Sequence, residues 1–155
     1  MNVIYLHGFR SSSASVKGQL LRQYCEKIPH IQVHLPDLNM SPYDAIEHVS
    51  ALIQSMNGVV LVGSSLGGFY ATHLVAKHGL PAVVINPAMR PWQLFHELFA
   101  DALPMDIHPN WQLKDSDLEQ LQRLALPTVQ DADKILVLLQ QGDEVLDYRE
   151  AHRYY

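Results

Sequence analysis

The chain has 155 residues, 48% of them hydrophobic and 17% charged, and its formal net charge is −5 at pH 7. These values are ordinary for a soluble globular protein, and the length suits one domain over 1–155 with a single core. The acidic balance and the lack of a basic cluster argue against a nucleic-acid surface. No apolar run approaches the ~20 residues that a membrane helix needs.

The chain contains one cysteine, Cys25, which excludes an internal disulfide and suits a reducing compartment. No signal-peptide pattern precedes the first strand. We therefore expect a cytoplasmic protein with neither a nucleic-acid nor a membrane partner. Cys25 falls on the apolar face of a predicted helix, so we expect a buried structural thiol.

Apolar periodicity and turn residues divide the chain into alternating strands and helices. The predicted elements are a strand over 3–6, a helix over 16–27, a strand over 31–35, a helix over 42–56, a strand over 59–62, a helix ending at 78, a strand over 81–85, a mostly helical, lid-like segment over 88–130 and a strand over 134–139. This alternation predicts an α/β fold with a mostly parallel sheet covered on both faces.

Several residues mark the ends and faces of the predicted helices. Ser41 is a cap candidate followed by proline, and Gly79 follows the helix that ends at His78. Residues 116–119 have the form of a capping box. The apolar positions of the helix over 16–27 recur every four residues, at Val16, Leu20, Tyr24 and Ile28.

The strand over 59–62 leads into Gly63-Ser64-Ser65-Leu66-Gly67, a Gly-x-Ser-x-Gly pattern with a helix beyond it. This order of strand, sharp turn and helix is typical of a nucleophile elbow, which predicts acyl transfer through Ser65. The alternative is that Ser65 only caps the helix. Ser64 does not occupy the centre of the pattern.

Acyl transfer also needs two amide donors for an oxyanion, and the sequence offers both. The Leu66 amide directly follows the nucleophile, and the Phe9 amide lies in the loop after the first strand. His7 in that loop lies too early in the chain to be the base of this fold, so we expect it to brace the loop beside the substrate pocket. Asn86 also follows a strand, at the carboxyl edge where such sites lie, and is a further candidate for the substrate pocket.

An acid and then a histidine should follow the nucleophile. Asp143 follows the last predicted strand and is preferred as the acid, whereas Asp147 is expected to cap the next helix. The one histidine after Asp143 is His152, and the surrounding pattern predicts that it is exposed on a helix. The remaining histidines share no metal-ligand spacing, so we expect no metal and no cofactor.

Four motifs together resemble the YqiA-type esterases, which are small bacterial proteins of the α/β-hydrolase fold. The motifs are Tyr5-Leu6-His7-Gly8-Phe9, the elbow with its helix over 63–72, Val84-Ile85-Asn86-Pro87-Ala88-Met89-Arg90-Pro91 and the segment over 141–148. The resemblance implies hydrolysis of short acyl esters or acyl-CoA thioesters, with Ser65 as nucleophile and Asp143 as acid. The three-layer fold it implies includes one more strand and helix, and the family's histidine follows that strand.

Because this chain stops before that histidine, we expect impaired activity, in a form that is either truncated or naturally shortened. The alternatives are a non-catalytic module that binds a ligand or partner through the same pocket, and acyl transfer to an acceptor other than water. Without a further strand, the strand over 134–139 becomes an apolar edge through which we expect dimerisation.

The lid-like segment contributes further candidates for the substrate pocket. Trp92, Phe95 and Phe99 recur at helical spacing and either pack on the sheet or line an acyl pocket. Arg90, at the active-site end of its strand, is either a surface charge or a contact for an anionic substrate group.

Overall fold

A computed structural model describes all residues, 1–155, as a parallel sheet flanked by helices. The strands and helices are β1 (Asn2–Leu6), α1 (Val16–Cys25), β2 (Gln32–His34), α2 (Pro42–Gln54), β3 (Val59–Ser64), α3 (Leu66–His78), β4 (Ala82–Ile85), α4 (Pro91–Phe99), β5 (Met105–His108), β6 (Trp111–Leu113), α5 (Asp115–Leu124), β7 (Ile135–Leu138) and α6 (Tyr148–Tyr154). The α/β fold predicted from the alternating pattern is confirmed.

The main sheet has the strand order β2-β1-β3-β4-β7, and every pairing in it is parallel. One face carries the core, where Ile4, Leu61 and Val84 are fully buried against Leu74 and Val75 of α3. Parallel strands place their carboxyl ends at one edge. The loops after β1, β3, β4 and β7 therefore lie along the same edge.

Helices lie on both faces of the sheet, as expected, but the other face is covered only in part. Over β1 this face is closed by α1, and Tyr5 is only 4% exposed. Over β7 the same face is open, and Leu136 and Leu138 are 58% and 46% exposed. The reason is that α1 packs along β2 and β1 and does not extend across the sheet to β7.

The apolar stripe of α1 is also placed differently from the expectation. Val16, Leu20 and Tyr24 face solvent, whereas Gly18 and Cys25 face the sheet. A Cβ atom at Gly18 would lie 3.0 Å from the Tyr5 ring, so close packing selects the small side of the helix. Cys25 is a buried free thiol, as predicted, although it lies opposite the stripe.

The segment over 88–130 is not mostly helical, because an antiparallel hairpin of β5 and β6 separates α4 from α5. Met105 and Ile107 pack against the core while Asp106 between them is exposed. This alternation with a period of two is the strand signal that the helical interpretation overlooked. Helix α5 begins at Asp115, and Asp117 accepts from the Lys114 amide at 3.0 Å, so the capping residues differ from those predicted.

Other helix ends match the sequence signals. The Ser41 hydroxyl accepts from the Asp44 amide at 3.4 Å at the start of α2, with Pro42 in the first turn. Gly79 has a left-handed conformation after α3. None of the helices is both long enough and apolar enough to cross a bilayer.

The exposed edge of β7 generates a prediction about association. Because the outer edge of β7 is unpaired and Leu136 and Leu138 are exposed, we expect the protein to self-associate as its concentration rises. Replacing Leu136→Lys should shift the protein toward monomer in sedimentation velocity. Leu98→Lys, at an equally exposed leucine on α4, should leave the association unchanged. A wild-type protein that stays monomeric at high concentration would contradict this expectation.

Candidate active site

Ser65 lies at a sharp turn between β3 and α3, with φ 54° and ψ −117°. A positive φ is costly for a residue with a side chain and persists only where the surroundings enforce it. The Ser65 amide donates to the Ile85 carbonyl at 3.1 Å, and its carbonyl accepts from the Ala88 amide at 3.0 Å. The end of β4 therefore holds the turn in place.

Two glycines allow the strand and helix of this turn to approach each other. A Cβ atom at Gly63 would collide with the backbone carbonyl of Gly67, and one at Gly67 would collide with the carbonyl of Leu6. Any side chain at these positions would push α3 away from β1 and β3. The predicted elbow thus has its expected strand, turn and helix.

The loop after β1 lies directly against Ser65. A Cβ atom built on Gly8 would lie 3.3 Å from the Ser65 Cβ and 3.9 Å from its Oγ. Neither the Phe9 amide nor the Leu66 amide donates a hydrogen bond within the protein. The two amides predicted to hold an oxyanion are therefore next to the serine and available to a ligand.

His7 fixes the conformation of this loop and is only 3% exposed. Its Nε2 accepts from the Leu38 amide at 2.9 Å, which assigns the ring proton to Nδ1, and Nδ1 then donates to the Gly8 carbonyl at 2.8 Å. Burial lowers the pKa of His7 and outweighs the attraction of Asp37 at 4.0 Å. His7 is a neutral brace, and its ring offers no free nitrogen to a substrate.

Two aromatic residues of α4, Phe95 and Phe99, pack against Phe9 of the oxyanion loop. Phe9 contacts Phe95 and Phe99 at ring-centroid distances of 4.4 and 5.7 Å, and it meets Trp111 edge-on at 6.4 Å. Such rings stabilise one another beyond their burial alone. The cap formed by α4 and the β5–β6 hairpin therefore sets the position of Phe9.

Asn86 connects the ends of β4 and β7. Its amide donates to the Leu138 carbonyl at 2.9 Å, and its side-chain oxygen accepts from the Gln140 amide at 2.7 Å. This second bond fixes the start of the loop that carries Asp143. Asn86 was predicted to lie in the substrate pocket, and the structure gives it this backbone-tying role.

Asp143 folds its own loop, and its Oδ1 accepts from the Val145 and Leu146 amides at 2.9 and 2.8 Å. Its carboxylate is half-buried and forms no hydrogen bond with another side chain. Asp147 caps α6 by accepting from the Arg149 amide at 2.9 Å. The expected cap role of Asp147 is confirmed.

No histidine among residues 1–155 forms a hydrogen bond with Ser65, and the Ser65 hydroxyl has no partner in the protein. His152 lies exposed on α6. The structure brings together Ser65 and the Phe9 and Leu66 amides, with Asp143 in a loop at the same edge of the sheet. It contains no group of three or more His, Cys, Asp or Glu arranged for a metal ion.

Arg90 and Trp92 line a cavity of about 570 Å³ beside α3, between α4, α5 and α6, and Ser65 is not part of its wall. The Arg90 guanidinium donates to Glu150 at 2.8 Å. Trp92 packs on Phe69 with ring centroids 6.3 Å apart. Both residues were predicted for the substrate pocket, and both belong to this separate cavity.

Arg10 was missed by the sequence analysis. Its guanidinium lies 5.6 Å from the Phe9 centroid and 5.0 Å from the Phe99 centroid, and it donates to the Met105 sulfur at 3.4 Å. Its φ is 58°. The available signal was its position directly after the predicted oxyanion donor.

A family model described as uncharacterised protein family UPF0227 matches residues 2–155. A UPF0227 protein of Serratia proteamaculans is 26% identical over 174 residues, which cover 99% of this chain and 83% of the relative. The chain therefore belongs to this family, and the predicted resemblance to the YqiA-type proteins is confirmed.

Solved structures with a similar fold include mouse alpha/beta hydrolase domain-containing protein 10, with 15% identity and a TM-score of 0.73. Est1E of Butyrivibrio proteoclasticus with bound ferulic acid has 15% identity and a TM-score of 0.72. In both cases the match covers 99% of this chain and 74% of the other chain. At this identity the likeness establishes the fold, which is that of the α/β hydrolases.

The elbow glycine generates a stability prediction. Gly67→Ala should lower the free energy of unfolding by about 3 kcal/mol or more, because its Cβ atom would meet backbone that cannot move aside. Gly142→Ala is the matched control, since a Cβ atom there has nothing within 4 Å. The control should change stability by less than about 0.5 kcal/mol. Urea unfolding measures both, and equal effects would contradict this packing.

The lowered pKa of His7 generates a prediction about pH. As pH falls below about 6.5, the unfolded chain binds a proton at this position before the folded protein does, so folding becomes less stable. We expect the urea midpoint to fall between about pH 7.5 and about pH 5.5. His7→Asn should reduce that fall. A midpoint that rises toward acid would contradict the role of neutral His7.

Proposed function

Because the chain belongs to the UPF0227 family and its Ser65 turn lies against a loop with a free amide, we propose that it is a serine hydrolase of carboxylic esters. The observation that carries the proposal is the strained Ser65 beside the unpaired Phe9 and Leu66 amides. Backbone strain at a serine is expected where the hydroxyl must project from a sheet edge toward a substrate.

In the proposed reaction, the Ser65 Oγ attacks the ester carbonyl carbon while its proton passes to a base. The carbonyl oxygen becomes an oxyanion that accepts hydrogen bonds from the Phe9 and Leu66 amides. Such preorganised donors are worth on the order of 10²–10³ in rate each. The alcohol then leaves with a proton, and water releases the acid from the acyl-enzyme. This chemistry needs neither a metal nor a cofactor.

No side chain among residues 1–155 is placed to act as the base that accepts the Ser65 proton. An imidazole held by Asp143 would complete the arrangement of a serine triad, but no histidine here hydrogen-bonds Ser65. Loss of a triad histidine costs on the order of 10⁶ in turnover, with roughly 10³–10⁴ over water retained through binding and the oxyanion donors. We therefore expect slow turnover from this chain.

This deficit generates a prediction of chemical rescue. Added imidazole should increase hydrolysis of p-nitrophenyl butyrate by this chain, because it can accept the Ser65 proton from solution. Imidazole also cleaves such esters unaided, so Ser65→Ala measured under the same conditions gives the background. An imidazole-dependent rate in Ser65→Ala equal to that of the wild-type protein would contradict a role for Ser65.

Short acyl esters and acyl-CoA thioesters both suit this chemistry, since each presents a carbonyl to Ser65. Two proteins of similar fold are named for ester chemistry, namely a monoacylglycerol lipase of Paleococcus ferrophilus (TM-score 0.63, 14% identity) and an esterase domain of a Rhodothermus marinus protein (TM-score 0.66, 15% identity). These names support an ester as the substrate class. Transfer to an acceptor other than water would use the same acyl-enzyme.

A binding module without catalysis is the second candidate, and the unpartnered Ser65 hydroxyl favours it. A fluorophosphonate probe separates the two functions. In the catalytic case we expect labelling that requires Ser65 and quickens with imidazole. In the binding case labelling should equal that of denatured protein at every imidazole concentration.

A further inference from the structure

We propose that the ester substrates of Ser65 carry a negatively charged group and that the Arg10 guanidinium binds it. This inference rests on the proposed function and adds a substrate class to it. The shared chemistry is that of a carboxylate or phosphate, which an arginine contacts through paired N–H donors.

Arg10 is a cation without a partner in an acidic chain. No Asp or Glu lies within ion-pair distance of its guanidinium, although the sequence contains 16 acidic residues. Arg90, for which the sequence left open either a surface charge or an anion contact, is instead paired with Glu150 at 2.8 Å. The positive charge left for a ligand near the oxyanion loop is therefore that of Arg10.

The guanidinium is exposed, yet it already makes contacts within the protein before any ligand arrives. It lies against the Phe9 and Phe99 rings and donates one hydrogen bond to the Met105 sulfur. An arginine has five N–H donors, so the others remain for a ligand. Restricting a long side chain in advance lowers the entropy lost on binding.

The backbone of Arg10 is also costly to maintain. The Ser11 amide donates to the Gly8 carbonyl at 3.2 Å, which closes a four-residue turn with Arg10 in its third position. A positive φ there favours glycine or asparagine. A glycine would relieve the turn but would remove the guanidinium.

The position of the turn places this charge within reach of a bound substrate. Gly8 lies against Ser65, Phe9 carries the predicted oxyanion donor, and Arg10 is the next residue. Consecutive Cα atoms are 3.8 Å apart. The Cα atom of Arg10 therefore lies within about two such steps of the Cα atom of Gly8. A charged group that the substrate carries a few bonds from its scissile carbonyl can therefore contact Arg10.

The test compares matched neutral and anionic substrates in imidazole buffer. In the first pair, p-nitrophenyl hemisuccinate carries a carboxylate on its acyl group and p-nitrophenyl butyrate does not. In the second pair, butyryl-CoA carries phosphates on its leaving group and S-butyryl-N-acetylcysteamine does not. Arg10→Gln should lower kcat/KM for the anionic member of at least one pair about five- to tenfold and for the neutral members less than about twofold.

Lys17→Gln, at an exposed cation on α1, is the control for net charge and should not change either ratio. Arg10→Lys should retain part of the preference, since the charge stays but the planar contacts do not. Added salt should weaken the preference in the wild type. An equal effect of Arg10→Gln on neutral and anionic members of both pairs would overturn the proposal.

A binding measurement keeps this outcome separate from failure of the proposed function. In an NMR titration with succinate or inorganic phosphate, the Arg10 Nε–Hε signal should shift with saturation, and the Lys17→Gln protein should behave like the wild type. If neither substrate of any pair is hydrolysed through Ser65, the proposed function fails. The anion site is then overturned only if the Arg10 signal also stays unmoved.

Discussion

The close approach of α3 to the strands beneath it is the constraint on which the candidate site depends. Gly63 and Gly67 bring backbone against backbone, and no side chain could be inserted between them. The chain can make this approach only by turning sharply at Ser65, whose φ is therefore positive. The position of the half-buried serine at the sheet edge and the free Leu66 amide both follow from this one contact.

The rest of the site is held by hydrogen bonds between side chains and loop backbone. His7 ties the loop after β1 to Leu38, and Asn86 ties the end of β4 to Gln140. Because each bond joins two different loops at the carboxyl edge of the sheet, a shift in one loop is transmitted to the next. His7 and Asn86 thus support the site without offering themselves to a substrate.

Much of the fold and the sharp turn at Ser65 could be predicted because they rest on local patterns. The apolar runs of the strands, the glycines around Ser65 and the Ser41 cap each determine structure within a few residues. Which side of α1 is buried could not be predicted in this way, because the helix forms equally well whether its Val16 side or its Gly18 side faces the sheet. Only packing against Tyr5 decides which side is buried.

The same limit applies to two residues predicted for the substrate pocket. Arg90 and Trp92 follow an active-site strand in sequence, but α4 carries them to a cavity beside α3. Arg10 was overlooked because its partners, Phe99 and Met105, are about 90 residues away in the chain. Contacts at that separation depend on how the cap docks, and no spacing in the sequence records it.

Trapping an acyl-enzyme tests the central claim most directly, because deacylation also needs the base that residues 1–155 leave unsupplied. After brief reaction with p-nitrophenyl butyrate in imidazole, mass spectrometry of the digested protein should find one butyryl group on the peptide containing Ser65. The group should be absent from Ser65→Ala and lost on longer incubation. A butyryl group on another residue, or none during measurable Ser65-dependent hydrolysis, would contradict the account.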